Sequence, residues 1–192
     1  MKTQQIQKTG LIILLILSLL MGYVHASGTE ASEHQSPATA TEYKWDTYAY
    51  GNSAYRMEYP TVMFVSPQSN GVTSFTFWGE SQQPSTRLTD GIMMEVDYDS
   101  LPPQTSLKEF VAARVNELKK RADITDVANE RLATLDTLKG YAVDAIGEVT
   151  ETHYYFQPDE KTYIEITVSV ADPHDKGYNA ITTQMLESLD II

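Results

Sequence analysis

The 192-residue chain contains no cysteine. That excludes disulfides, iron–sulfur clusters, thiol nucleophiles and the lipid-modified cysteine of a bacterial lipoprotein. Basic residues are scarce, 14 Lys and Arg against 26 Asp and Glu, for a formal net charge of −12. A field of that sign repels nucleic acid and attracts cationic partners. Histidine occurs four times, never in a zinc-protease helix pattern, and the chain has no Gly-x-Ser-x-Gly elbow, phosphate-binding glycine loop or dinucleotide fingerprint. The expectation is a protein without catalytic residues, and no cofactor is implied.

No apolar run approaches the roughly 20 residues that a spanning helix needs. The longest, residues 11–21, follows Lys2 and Lys8 and precedes Val24, His25 and Ala26. A basic start, a short apolar middle and small residues before the cut read as a secretory leader, residues 1–26, cleaved after Ala26. The product is then expected to be exported, to the periplasm or the cell exterior, and an uncleaved leader would be its membrane contact. Losing that leader removes two lysines and no acid, which leaves 12 basic and 26 acidic residues and a net charge of −14. Residues 27–41 are small and polar without hydrophobic period, as in a flexible linker. Residues 42–192 are the length of one domain.

What is present is strand-forming sequence. Residues 139–170 read as three antiparallel strands. Tyr141, Val143, Ala145 and Val149 lie on one side of the first, Ile164, Ile166, Val168 and Val170 on one side of the last, and Gln157 to Lys161 turn the chain. Upstream, 47–50 and 55–59 form an expected hairpin rich in Tyr and Trp, followed by strands at 62–65, 72–78 and 92–98. Pro102 and Pro103 exclude helix and central strand. Ser106 and Glu109 then form a capping box, and Leu107, Phe110, Val111, Val115 and Leu118 make an apolar stripe at helical spacing. Lys119, Lys120 and Arg121 suit the negative end of that helix. A strand at 131–135 and a second helix at 178–189, with Tyr178, Ile181, Met185 and Leu189 inward, complete an α+β domain whose mainly antiparallel sheet packs against helices.

Three groups of residues are candidates for function. Glu95 and Asp97, Asp144 and Glu148, and Glu165 alternate away from the apolar side of three strands. They form either an ordinary solvated sheet face or a docking face for a basic envelope or secreted protein. Asp172, His174 and Asp175 could contribute to a zinc or manganese site, or else make a turn in which Asp175 caps the last helix. The aromatic residues Tyr43, Trp45, Tyr48, Tyr50, Tyr55 and Tyr59 could stack a flat ligand, which makes a small-ligand module the alternative function, or they could cover a core. A hydrolase would require His153 or His174 beside Ser, Asp or Glu.

The aromatic opening, the strand of Tyr55, Arg56, Met57, Glu58, Tyr59 and its closing Pro60, and the helix after Pro102 and Pro103 together resemble the PsbP-like fold. So do the start of the long meander at Lys139 and Gly140 and the terminal helix. The resemblance covers about residues 43–190 and carries no catalytic motif. It implies a protein that acts by binding partners, sometimes with metal ions, and not as an enzyme. Thr61 stands where photosynthetic members commonly carry Trp, which points away from a photosystem role.

Overall fold

Alternating apolar residues separated by tight turns make ten strands, and two stretches of helical spacing make two helices, among the residues described by a computed structural model: 43–51, 54–79, 84 and 87–192. The expected leader (1–26) and linker (27–41) lie outside the described residues. The strands are β1 (Trp45–Tyr50), β2 (Tyr55–Pro60), β3 (Phe64–Pro67), β4 (Val72–Phe77), β5 (Gly91–Ser100), β6 (Ile124–Leu135), β7 (Leu138–Gly147), β8 (Glu151–Phe156), β9 (Thr162–Ala171) and β10 (Asp190–Ile191). The helices are α1 (Leu107–Leu118), between β5 and β6, and α2 (Tyr178–Glu187), between β9 and β10.

Seven strands form one antiparallel sheet in the order β3-β4-β5-β9-β8-β7-β6, and β1-β2-β10 form a second. The β7–β8–β9 meander is the expected one. In its second turn Asp159 Oδ1 accepts from the amides of Lys161 and Thr162 at 2.7 and 3.0 Å, an Asx-type closure. The long pairing of β5 with β9, from Gly91↔Ala171 to Ser100↔Thr162, joins the N-terminal strands to that meander. Gly91 has φ 134°, and a Cβ there would lie 1.9 Å from the Phe77 carbonyl oxygen, so the start of β5 admits only glycine.

Both faces of the large sheet are covered, each by different chemistry. On one face Phe75, Met94, Ile164 and Ile166 are fully buried against Tyr55 and Met57 of the small sheet and Ile181 and Met185 of α2. Burying each such side chain contributes about 1.5–3 kcal/mol relative to exposure. On the other face α1 lays Leu107, Phe110, Val111 and Leu118 over Val143, Tyr155 and Tyr163, with Phe110 packed 4.4 Å from the Tyr163 ring. Helix α1 starts at the expected capping box: the Glu109 amide donates to Ser106 Oγ at 3.3 Å, and the Ser106 amide donates to Glu109 Oε2 at 2.9 Å. Among the described residues no helix is long and apolar enough to cross a membrane.

Some expected boundaries shift. The strand expected at 62–65 forms at Phe64–Pro67, because Pro60 to Met63 make a turn closed by the Met63 amide donating to the Pro60 carbonyl at 2.9 Å. The strand expected at 131–135 extends back to Ile124, with register shifts between Ile124 and Asp126 and between Ala128 and Arg131 that break its alternation. The last helix stops at Glu187, and Asp190 and Ile191 pair with Arg56 and Tyr55 as an added strand.

Candidate functional site

Along β8, residues at period two share a face, so Glu151, His153 and Tyr155 all project toward α1. On neighbouring β9, Tyr163, Glu165, Thr167 and Ser169 do the same, and on β5 so do Met93, Glu95 and Asp97. Helix α1 covers this face over β6, β7, β8 and the near part of β9. It supplies Arg114, and Arg121 follows in the turn just beyond its last residue, Leu118.

The result is a buried polar network centred on His153, whose side chain is 6% exposed. The His153 Nε2 lies 3.2 Å from Glu151 Oε2, and Nδ1 lies 3.3 Å from Glu165 Oε1 and 3.1 Å from Thr167 Oγ1. Arg121 grips Glu151 with two parallel bonds, Nη1 to Oε2 at 2.7 Å and Nη2 to Oε1 at 3.0 Å, and also grips Asp123. Arg114 Nε sits 3.2 Å from Glu165 Oε2; the N–H is not aligned on that oxygen, so the attraction is coulombic. The Arg114 guanidinium also lies 5.2 Å from the centre of the Phe110 ring.

Burial pushes the His153 imidazole toward its neutral form, but hydrogen bonds and charge from Glu151 and Glu165 outweigh it and raise its pKa above the ordinary value. Burial likewise opposes ionisation of Glu151, yet His153 and Arg121 bring its pKa down to about 2. A carboxylate thus stands at each ring nitrogen, with the Thr167 hydroxyl beside Nδ1.

The five acids of the expected outward row are divided. Glu95, Asp97 and Glu165 share the α1 face of the sheet, with Asp97 directly across from Glu165. Glu165 does not face solvent, because its side chain is 13% exposed beneath α1. Asp144 lies on the opposite face, 15% exposed, held by Arg131, Asn129 and Thr152. Glu148 is in the β7–β8 turn, paired with Arg87. The row fails as a single patch because the sheet is covered on both sides along β8 and β9, whereas the outward reading presumes one solvated face.

Glu95 and Asp97 remain on the part of that face which α1 leaves half open. Glu95 accepts from Ser74 Oγ at 3.0 Å, and Asp97 accepts from the Tyr163 hydroxyl at 2.8 Å. Burial raises the Asp97 pKa above the ordinary carboxylate value, Tyr163 works against that, and Glu165 and Asp99 add to it. Among the described residues neither Glu95 nor Asp97 forms an ion pair. Phe64 of β3, 53% exposed and paired with Thr76, borders the same open face.

The other two candidate groups also find places. Asp172, and not Asp175, secures the start of α2: its carboxylate accepts from the amides of Lys176, Gly177 and Tyr178 at 2.7, 2.9 and 3.1 Å. Asp175 takes a left-handed φ of 52° in the same turn, and Gly177 is the cap residue. Among the described residues no group of three or more His, Asp or Glu side chains is placed to hold a metal ion. The aromatic hairpin packs inward. Tyr55 is fully buried and stacked on Tyr50 at 5.2 Å, and Tyr48 and Tyr59 meet the Phe75 ring at 5.5 and 5.6 Å.

The His153 network is what sequence reasoning missed. Its traces were the period-two sets Glu151, His153, Tyr155 and Tyr163, Glu165, Thr167, with Arg114 in the helical stretch and Arg121 just past it.

No family model matches the chain, and no curated protein matches it in sequence. Solved structures do match in shape. The solution structure of cyanobacterial PsbP (CyanoP) from Synechocystis aligns with TM-score 0.53 at 14% identity, over 87% of this chain and 99% of that one. A mutant of the protein Mog1 aligns with TM-score 0.53 at 10% identity, over 78% and 96%. LpqN of Mycobacterium tuberculosis, described as involved in cell envelope biogenesis, aligns with TM-score 0.53 at 11% identity, over 77% and 90%. With TM-scores of 0.53 and 90–99% of each of these neighbours covered, the chain has the PsbP-like fold.

Proposed function

We propose that the chain is an exported, non-enzymatic interaction protein of the cell envelope, which docks a basic segment of an envelope or secreted protein on the half-open face of β3, β4 and β5. The observation that carries this reading is the pair Glu95 and Asp97. They stand about 7 Å apart on one side of β5, hydrogen-bonded to neutral hydroxyls and without an ion pair among the described residues. Two further carboxylates of this sheet face, Glu151 and Glu165, already have guanidinium partners. An acidic strip bordered by the exposed Phe64 ring suits a partner carrying Lys or Arg beside an apolar residue. The overall acidity disfavours nucleic acid as that partner. Export and an envelope location rest on the leader-like residues 1–26 and on the envelope role described for LpqN.

The test is site-specific photocrosslinking from Ser74 in the native envelope, repeated with the double variant Glu95→Gln, Asp97→Asn. One reproducible adduct is expected, reduced about tenfold or more in the double variant and weakened by added salt. An adduct indifferent to both would sink the docking reading.

A further inference from the structure

Beside His153 the open face deepens into a cleft of about 200 Å³ lined by Met93, Glu95, Arg121, Glu151, His153, Thr167 and Ser169. Ser169 is 3% exposed and puts its hydroxyl-bearing side chain in the cleft lining. Glu95 adds a carboxylate without an ion pair, and Met93 adds an apolar wall of the kind that covers the methylene stem of a long cationic side chain.

The charge balance of the lining turns on one group. Glu95 and Glu151 carry two negative charges and Arg121 one positive, so the cleft is neutral when His153 is protonated and carries −1 when it is not. The groups facing His153 come from every element around it. They are Glu151 and Tyr155 on β8, Glu165 and Thr167 on β9, Arg114 on α1 and Arg121 in the turn after it, and Glu95 across the cleft on β5; the facing residue of β7 is the uncharged Val143. Asp123 shares the Arg121 guanidinium.

We propose that this cleft seats one lysine or arginine side chain of the docked partner, with Glu95 and the Ser169 hydroxyl as its polar contacts, and that this side chain competes with the proton on His153. The inference rests on the docking reading and adds to it a defined subsite and a direction of pH dependence. Because both occupants are cations sharing Glu151 and Glu95, each weakens the other by the same factor. The neighbouring carboxylates hold the proton on His153 to a higher pH than an ordinary histidine keeps it. Partner binding therefore strengthens as pH rises through that raised value.

A fluorescent penta-lysine peptide titrated onto the protein purified from its native host is the probe. Affinity is expected to rise about fivefold across the His153 titration, to fall at every pH in Glu95→Gln, and to be high and flat with pH in His153→Gln. Should His153→Gln fold poorly, NMR titration of the His153 ring in the unaltered protein replaces it, and saturating peptide must lower that ring's pKa. Peptide binding that depends on Glu95 and Asp97 but is flat with pH, or leaves the His153 titration unmoved, overturns the cleft and leaves the docking face standing. Binding that survives Glu95→Gln with Asp97→Asn overturns both.

Discussion

The two faces of the seven-stranded sheet are organised by opposite means. One is dry where the small sheet and α2 cover it: Phe75, Met94, Ile164 and Ile166 meet Tyr55, Met57, Ile181 and Met185 with no charged group among the buried residues of that cluster, and the Asp144–Arg131 pair lies on β7 and β6 beyond it. The other is half dry, with Phe110, Val143, Tyr155 and Tyr163 under α1 giving way to Glu151, His153, Glu165, Arg114 and Arg121 where the helix ends. The dry face takes its stability from area removed from water, which is indifferent to pH. The charged face takes part of its own from contacts that depend on which groups hold protons. A fold that needs only one rigid face to hold its shape can leave the other responsive, and the open acidic strip lies on the responsive one.

The largest expected effect comes from breaking the dry face. Phe75→Ala should cost about 3–5 kcal/mol in denaturant unfolding, by the same amount across neutral and mildly acidic pH. A loss under about 1 kcal/mol would mean that the small sheet and α2 close over the gap. On the charged face Glu165→Gln removes a charge from both Arg114 and His153. It should cost about 2 kcal/mol, and the cost should shrink once His153 is neutral.

The pH profile sharpens the contrast. Glu151 has a folded pKa lowered to about 2 from the ordinary 4.5, so its contribution is present above the unfolded value and is lost as pH falls from about 4.5 to 2. His153 has a raised folded pKa, so its contribution is complete below the unfolded value, about 6.5, and is lost as pH rises through the folded value. Asp97, also raised, works against Glu151 in the acid range and blunts that limb. Thermal melts should therefore give a maximum Tm between about pH 4.5 and 6.5. His153→Gln should flatten the alkaline limb and spare the acid one. An unchanged alkaline limb in that variant would remove His153 from the account. The smallest effect belongs to the helix start, where Ser106→Ala should cost about 1 kcal/mol and lower hydrogen-exchange protection in the first turn of α1 only.

Much of this architecture was legible in order along the chain. The capping box at Ser106 and Glu109, the apolar stripe from Leu107 to Leu118 and the turn at Asp159 depend on neighbours within a few residues, and each forms as the sequence implies. The strand face of Ile164, Ile166 and Val168 was equally plain, since period two alone puts them together. Less legible were features whose cause lies far away. Strand β10 exists because Arg56 and Tyr55 offer an edge, and helical spacing through Leu189 conceals it. The bulged half of β6 loses its alternation through two register shifts, so its pattern does not read as a strand.

The candidate site divides along the same line. The residues themselves could be named from sequence: Glu95, Asp97 and Glu165 as acids on one side of their strands, and His153 as a histidine in a strand. Alternation fixes which side chains share a face of one strand, because the backbone repeats every two residues. It does not say whether that face meets solvent, a helix or another sheet. Only the docking of α1 across β7 to β9 decided that Glu165 and His153 are buried with Arg114 and Arg121 while Glu95 and Asp97 stay half open. The same acidic residue type thus became an internal ion-pair partner on β9 and a half-open charge without an ion pair on the adjacent β5, because burial, counter-charge and access are properties of neighbours in space.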